Sequence, residues 1–434
     1  MYIKDLKNYY NQEITIQGFV DKIRNLQYVQ FVIIRDHTGK VQVTIEKNDV
    51  NQHLNKIIDN CTNESTVKIT GKLLESPSVK LGGMEIIPSN IEITSLSEKE
   101  LPIDIKVKNN ALRETRLDWR YLDLRREDNN LLFECQSYIE KCMRDYYYEN
   151  GYREIHTPKI SATSAESGAE MFKLDYFGQK ACLSQSPQFY KQMTMAAGFN
   201  RVFEMGPVFR AENSHTSYHA TEIQMIDAEI SWINSFEDVM QEEEAWIKYF
   251  MTRLKEKYGD RIKDVFKVEL SDVSNPFPRI TFEEAKKIIK EKYHYNGEKE
   301  EDLDRREEEL MCIYAKKEYN SDFVFITNFP YSARSFYVMK NENGETQTYD
   351  LLFKGIEITS GAQREHRYDI LKKQIEEKGI NSKDLQFYLD FFKNGCPPHG
   401  GYGVGLARIM MRIFEIDNIR EATLIYRGPT RLNP

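Results

Sequence analysis

The stretch GPVFRAENSHTSYHATEIQMIDAEI, residues 206–230, decides how the rest of the chain is read. A strand ends at Arg210, a polar loop follows, and an apolar strand returns to Asp227 and Glu229. Such a hairpin sets Arg210 and Glu212 at one end and Asp227 at the other. The planar fork of arginine suits bidentate binding of phosphate, whereas a surface Arg–Glu pair is the ordinary structural alternative.

Two segments further on have similar chemistry. In YDLLFKGIEITSGAQREHRYD (349–369), Asp350, Glu357 and Ser360 are hard oxygen donors of the kind Mg²⁺ takes beside phosphate. A carboxylate beside a glycine-rich turn is also a common structural feature. In GCPPHGGYGVGLARIMMRIF (395–414), Gly400, Gly401, Gly403 and Gly405 lead into a helix with the stripe Leu406, Ile409, Met410 and Ile413. Glycine lets a backbone approach a ligand closely. GYGVG does not match the dinucleotide fingerprint GxGxxG, and no GxxxxGK[ST] phosphate loop occurs.

Upstream, NNLLFECQSYIEKCMRDYYYENG predicts a long helix with Leu131, Leu132, Cys135, Ile139, Cys142, Met143 and Tyr146 on one apolar stripe, closed by Gly151. GYREIHTPKI then reads as a strand whose Pro158 belongs at an edge, an end or an interface. Residues 236–257 and 299–319 are helical in pattern and richly charged, which reads as solvated helix faces. In residues 1–100, EITIQGFVDKI, VQFVIIRD, KVQVTIEK, STVKITGKLLES and MEIIPSNIEITSL predict about five strands, as in a small barrel such as the oligonucleotide-binding fold. Strand parity sets Phe31 and Gln42 on one face as diagonal neighbours. LPIDIKVKNNALRETRLDWRYLDLRRED reads as an extended basic linker. The expected organisation is a barrel domain at 1–100, a linker or hinge at 101–128, and a larger domain at 129–434.

The chain's 434 residues, 40% hydrophobic and 12% aromatic, suit packed globular domains. No run approaches the roughly 18 apolar residues of a membrane span, and the N-terminus lacks the apolar core of a signal peptide. Six scattered cysteines form no CxxC pair, and the histidines show no metal-cage spacing. These features predict a reduced, cytoplasmic protein. The net charge of −8 neither supports nor excludes an RNA partner, because local basic surfaces can steer RNA on an acidic protein.

The order of these segments (the proline-ended strand, FRAE with its loop, the glycine-rich strand-to-helix carrying Arg408) resembles motifs 1, 2 and 3 of class II aminoacyl-tRNA synthetases. The likeness spans nearly the whole chain. It is strongest to the aspartyl enzymes of archaeal and eukaryotic type, with the asparaginyl enzymes close by. It implies an α+β protein: an OB-fold anticodon-binding barrel, then a class II catalytic domain with an antiparallel sheet flanked by helices. The implied reaction is ATP-dependent activation of L-aspartate and its transfer to the 3′ end of tRNA-Asp, with tRNA-Asn as a further acceptor to consider. Magnesium and a homodimer through the strand around Pro158 come with the resemblance.

Carried over by position, the resemblance sets Arg210 at the α-phosphate of ATP, Glu212 near adenine, His219 near the outer phosphates and Arg408 at the γ-phosphate. Asp350, Glu357 and Ser360 take the family's magnesium positions, with Glu357 also counted in the ATP site. Gln188, Lys191, Asp227 and Arg364 form the aspartate pocket, and Glu166 and Glu170 lie in the loop that closes on the α-amino group. In the barrel, Phe31, Gln42 and Glu85 match positions that stack on or hydrogen-bond anticodon bases. Lys191 and Arg364 facing a neutral amide would leave buried charge uncompensated, which argues for aspartate over asparagine. The alternatives are an asparaginyl enzyme and a synthetase-like paralog that adenylates an amino acid without charging standard tRNA. Several positions depart from the family pattern. Ala407 replaces an acidic residue, Tyr218 an arginine and Ile223 an aromatic. YRGPTRL has Tyr426 and Gly428 where FPRDPxRL is typical. Asp21 stands where related barrels carry an aromatic or histidine.

Overall fold

The computed structural model describes residues 1–107, 111–162, 171–341 and 343–433, which form two compact units, Met1–Ala111 and Leu112–Pro434. In the first unit, strands β1 (Glu13–Asn25), β2 (Val29–Asp36), β3 (Gly39–Glu46), β4 (Thr66–Glu75) and β5 (Met84–Ser95) close a barrel in the order β1-β2-β3-β5-β4. Period-2 alternation sends Ile14, Ile16, Val32, Ile34, Val41, Val43, Ile69 and Ile86 inward, and helix α1 (Gln52–Asp59) adds Leu54 and Ile58 to the same core. The expected parity holds: Phe31 pairs with Thr44 and Ile33 with Gln42, so Phe31 and Gln42 are diagonal neighbours.

In the second unit the expected extended linker is instead helical over α2 (Arg113–Asp118) and α3 (Arg120–Asp123). Leu117 and Leu122 are buried, and the arginines that looked like a solvated basic stretch close on the buried Asp123. Helix α4 (Glu127–Glu149) buries its whole predicted stripe, and Gly151 follows it at φ +77°. The strand predicted after it is short, because β6 (Arg153–Glu154) pairs with the sheet for two residues only. Beyond it Thr157 and Lys159 turn to the carboxylate of Glu204, and Pro158 has no N–H to extend a ladder.

Strands β7 (Ile160–Ser161), β8 (Lys173–Tyr176) and β9 (Gln179–Leu183) form a small sheet, followed by helix α5 (Gln188–Ala196). The large sheet then takes β10 (Arg201–Phe209), β11 (Glu222–Ser231), β12 (Arg279–Thr281), β13 (Phe323–Thr327), β14 (Thr348–Phe353), β15 (Ile356–Gln363) and β16 (His399–Gly405). With β6 it has eight strands, ordered β12-β13-β14-β15-β16-β11-β10-β6. It is antiparallel at its centre and parallel only at its two edges.

One face of this sheet packs on α4 and on helix α6 (Phe236–Phe266), where Phe203, Ile226, Tyr402, Val404 and Trp246 share a core. Helices α7 (Phe282–Tyr293) and α8 (Arg305–Tyr319) cover the β12–β13 end. Helices α9 (Tyr368–Glu377) and α10 (Gln386–Lys393) pack with Phe189 of α5, and α11 (Leu406–Ile413) leaves the end of β16. The charged α6 is not wholly a solvated face: Glu243 is fully buried, accepts from Tyr349 Oη at 2.7 Å, and is raised by burial to about 8.

Phe323 is sandwiched between Phe277 at 4.4 Å and Phe353 at 4.0 Å, nearly parallel to both. Phe323→Ala removes the centre of that stack and should cost about 3–5 kcal/mol, as buried aromatic truncations do. Urea unfolding of the variant against the parent measures it.

Candidate active site

The face of the large sheet away from α4 and α6 carries the candidate site residues, and strand β16 leaves room for them. Tyr402 and Val404 point into the core, so the alternating Gly401, Gly403 and Gly405 face the other way. A Cβ on Gly401 would collide with Glu229 Oε2, and one on Gly403 would lie 3.0 Å from Asp227 Oδ1. The glycines therefore act as a strand whose ligand-side surface is bare backbone, rather than as a phosphate-binding turn.

Register aligns polar groups across this face. Glu204, Asp227, Gly403, Ser360 and Asp350 stand directly opposite one another on successive strands. Glu357 and Ser360, three apart, would normally lie on opposite faces. A bulge between Leu351 and Leu352 in the pairing of β14 with β15 sets Glu357 opposite Leu352 and Ser360 opposite Asp350, bringing all three predicted oxygen donors to one side.

The side-chain cluster beside them is buried and charge-balanced. Lys191 Nζ donates to Asp227 Oδ1 at 2.8 Å and to the Tyr402 carbonyl at 3.2 Å, and lies 3.5 Å from Glu229 Oε2. Arg364 donates to Glu229 Oε1 at 2.9 Å and to the Gly401 carbonyl at 2.9 Å. Gln188 donates to Gln192, which contacts His399 Nε2 at 3.0 Å and accepts from Tyr388 Oη. Burial opposes ionisation of Glu229, but Arg364 and Lys191 outweigh it and hold the carboxyl below its ordinary value. Burial also lowers His399 to about 4, so its ring is neutral at neutral pH.

Arg210 leaves the end of β10, its backbone N–H donating to the Thr221 carbonyl, and its Nε is buried without a partner. His219 is lowered by burial and by Arg408 and Arg210, while Glu212 opposes the shift, so these four groups share one electrostatic neighbourhood. Arg408 Nη1 lies 3.4 Å from the Glu357 carbonyl and 3.9 Å from its carboxylate. Burial, followed by the nearby Asp350 carboxylate, raises Glu357 to about 7. In the barrel, Gln42 stands opposite Glu85, and Thr44 bridges them, accepting from Gln42 and donating to Glu85. Glu166 and Glu170 lie outside the described residues.

Sequence reasoning missed two groups. Glu229 is named in the hairpin but given no role; its two-residue spacing from Asp227 was the available signal, since it sets both on one strand face. Arg334 had no local signal. It arrives from a loop, forks onto both oxygens of Asp350 at 3.1 and 2.6 Å, and stacks on Phe329. The structure also corrects one argument. Lys191 and Arg364 are already neutralised by Asp227 and Glu229, so a neutral amide substrate would leave neither uncompensated.

The departures from the family pattern have plain surroundings. Arg305 stacks over Tyr218 at 4.4 Å, and Ile223 and Ala407 line a cavity of about 250 Å³. Tyr426 Oη donates to the His219 carbonyl at 3.1 Å, and Gly428 exchanges backbone bonds with Arg431. Asp21 is buried in ion pairs with Arg35 and Lys40.

With this geometry in hand, the chain can be set beside known proteins. Residues 112–426 match the tRNA synthetases class II (D, K and N), and residues 14–94 match the OB-fold nucleic acid binding domain. The chain belongs to the class II tRNA synthetases of that D, K and N group. It is 40% identical to the aspartate–tRNA(Asp/Asn) ligase of Aeropyrum pernix, covering 97% of this chain and 95% of that one. It is 41% identical to the aspartate–tRNA(Asp) ligase of Pyrococcus abyssi, covering 99% and 100%. Among solved structures it resembles asparaginyl-tRNA synthetase from Pyrococcus horikoshii complexed with asparaginyl-adenylate, with a TM-score of 0.92, 29% identity, and coverage of 100% and 99%.

The buried ion network gives a pH prediction. Glu229 is depressed in the folded state, so its contribution is complete above the ordinary carboxylate value of 4.5 and is lost as pH falls through the lower folded value. His399, depressed to about 4, acts in the same direction below its ordinary 6.5. Glu229→Gln should cost about 3–5 kcal/mol at neutral pH, because Arg364 loses its buried partner. Denaturant unfolding from pH 5 to 3, where the Glu229 contribution is lost, should show a smaller loss of stability in the variant than in the parent.

Proposed function

We propose that the protein is an aspartate–tRNA ligase that activates L-aspartate with ATP and transfers it to the 3′ end of tRNA-Asp, with tRNA-Asn as a second acceptor to be tested. The observation that carries this reading is near-full-length similarity, at about 40% identity, to proteins named as aspartate–tRNA ligases. Charge balance in the pocket does not carry it.

The aspartate α-carboxylate attacks the α-phosphate of ATP, and pyrophosphate leaves. The terminal ribose hydroxyl of tRNA then attacks the carbonyl of the aspartyl-adenylate, and AMP leaves. Such chemistry asks for alignment and charge neutralisation rather than a protein nucleophile. Arg210, with its unpartnered Nε, binds the α-phosphate, and Arg408 binds the γ-phosphate beside His219. A lowered His219 stays neutral and can donate one hydrogen bond to a phosphate oxygen. Glu212 lies near adenine. Lys191 and Arg364 share their donors with the aspartate side chain, while Gln188 and Asp227, with Glu166 and Glu170, orient the substrate's amino end.

Among the described residues no group of three or more His, Cys, Asp or Glu is placed to hold a metal. Magnesium commonly binds one or two carboxylates together with substrate phosphates. The mutual repulsion of Asp350 and Glu357 on one face fits that donor set, so these two with Ser360 would hold Mg²⁺. Bound there it would neutralise phosphate charge. Phe31, Gln42 and Glu85 on the barrel read anticodon bases. The exposed His156, Pro158 and Ile160, beside an edge strand of two residues, suit a homodimer contact. No helix among the described residues is long and apolar enough to cross a membrane, which suits the proposed cytoplasmic location.

A second reading, an asparaginyl enzyme, draws on the neutral pocket and on the solved asparaginyl relative. ATP–pyrophosphate exchange with Mg²⁺ separates the two. Exchange is expected with aspartate and not with asparagine, and exchange with asparagine would overturn the specificity. Exchange with neither would point to a paralog of another function. Arg210→Ala should lower the exchange rate by about 10²-fold or more, the usual loss of a transition-state donor.

A further inference from the structure

The chain between α11 and the C-terminus runs across the nucleotide loop as an irregular strap, residues 418–427. It makes three anchors to that loop. The Ile419 N–H donates to the Ser217 carbonyl at 2.8 Å, Tyr426 Oη donates to the His219 carbonyl at 3.1 Å, and the Thr221 N–H donates to the Arg427 carbonyl at 3.0 Å. Elsewhere on the loop, Arg305 and Arg412 stack on Tyr218, and Tyr218 and Ala220 pack against the main core.

The strap has no helix or strand hydrogen bonding; a turn bond from the Glu421 N–H to the Asn418 carbonyl and the buried Ile419, Ala422 and Tyr426 hold it in part. Its middle, residues 421–424, is held by Arg120, which is 2% exposed. Its guanidinium donates to the carbonyls of Leu424 at 3.0 Å, Thr423 at 2.9 Å and Glu421 at 3.2 Å. The remaining arm donates to Asp123 Oδ2 at 2.6 Å, and Asp123 is wholly buried. Nearby, Arg116 and Arg113 donate to the Glu421 carboxylate at 2.7 and 3.0 Å. Three carbonyls gathered on one desolvated fork is an arrangement a lysine cannot reproduce.

We propose that Arg120 is a positioning residue for ATP: by gathering the strap's carbonyls it fixes the loop that carries His219, and so sets nucleotide affinity. This rests on the reading of Arg210, His219 and Arg408 as the ATP site. Arg120 touches no substrate, and its influence passes through Tyr426 and its neighbours in the strap.

The test is a double-mutant cycle on ATP binding, measured by calorimetry on the full chain with ATP and Mg²⁺. Arg120→Lys keeps the charge and loses the fork; it should weaken ATP binding about tenfold, the worth of a strong charged hydrogen bond. Tyr426→Phe should weaken it about threefold, the low end for a neutral bond. If the effect travels along the strap, the double variant should be little weaker than Arg120→Lys alone, with the KM for aspartate within about twofold of the parent. Multiplying effects, or an Arg120→Lys protein that binds ATP normally, would overturn the proposal. So would equal loss of ATP and aspartate binding, the mark of general loosening. A parent that binds ATP but supports no exchange with aspartate would sink the ligase reading and leave this cycle readable.

Discussion

Glu229, shut away from water between Arg364 and Lys191, fixes the centre of the second unit. Through those two partners β11 is tied to the helix carrying Lys191, to the segment leaving β15 and to two carbonyls of β16. Buried ion pairs seldom add much stability over a hydrophobic replacement, but removing one member is costly. The network therefore acts mainly as a constraint on geometry. In the proposed site, Lys191 and Arg364 would meet a substrate only at the distances that Asp227 and Glu229 permit. A carboxylate entering there would share donors that are already engaged, so discrimination would depend on how well the network re-pairs around each guest rather than on a vacant positive charge.

Much of this arrangement is legible in the chain itself. The barrel follows from period-2 alternation, and the stripe of α4 from its helical period, because both are set by residues close in sequence. Arg210, Asp227, Glu357, Arg364 and Arg408 stand out because their segments occur in a recognisable order. The illegible parts depend on distant partners. Residues 113–123 look like a solvated basic linker until Asp123 and the carbonyls of 421–424 supply what their arginines bind. Glu154 ends its strand early because Glu204, fifty residues on, takes the side chains that follow. Arg334 reaches Asp350 from a loop with no period to read.

The glycine-rich strand-to-helix read from the sequence is there, and the run GGYGVG is a central strand with a neighbour on each side. Gly401 and Gly403 are needed on one face, where side chains would crowd Glu229 and Asp227, and Gly400 on the other, where a Cβ would lie 2.8 Å from Val239 beside the core residues Tyr402 and Val404. Fold and site are written into the same few residues, on alternating positions.

The bulge in β15 carries a further consequence. It is one surplus residue, and every position after it owes its side to that surplus. Were Ile358 taken into regular pairing instead of the bulge, Ser360 and Ala362 would turn toward the core and Gly361 toward the face they now occupy. Side chains along β15 can therefore be exchanged one at a time, whereas a residue gained or lost beyond the bulge turns every later position to the opposite face.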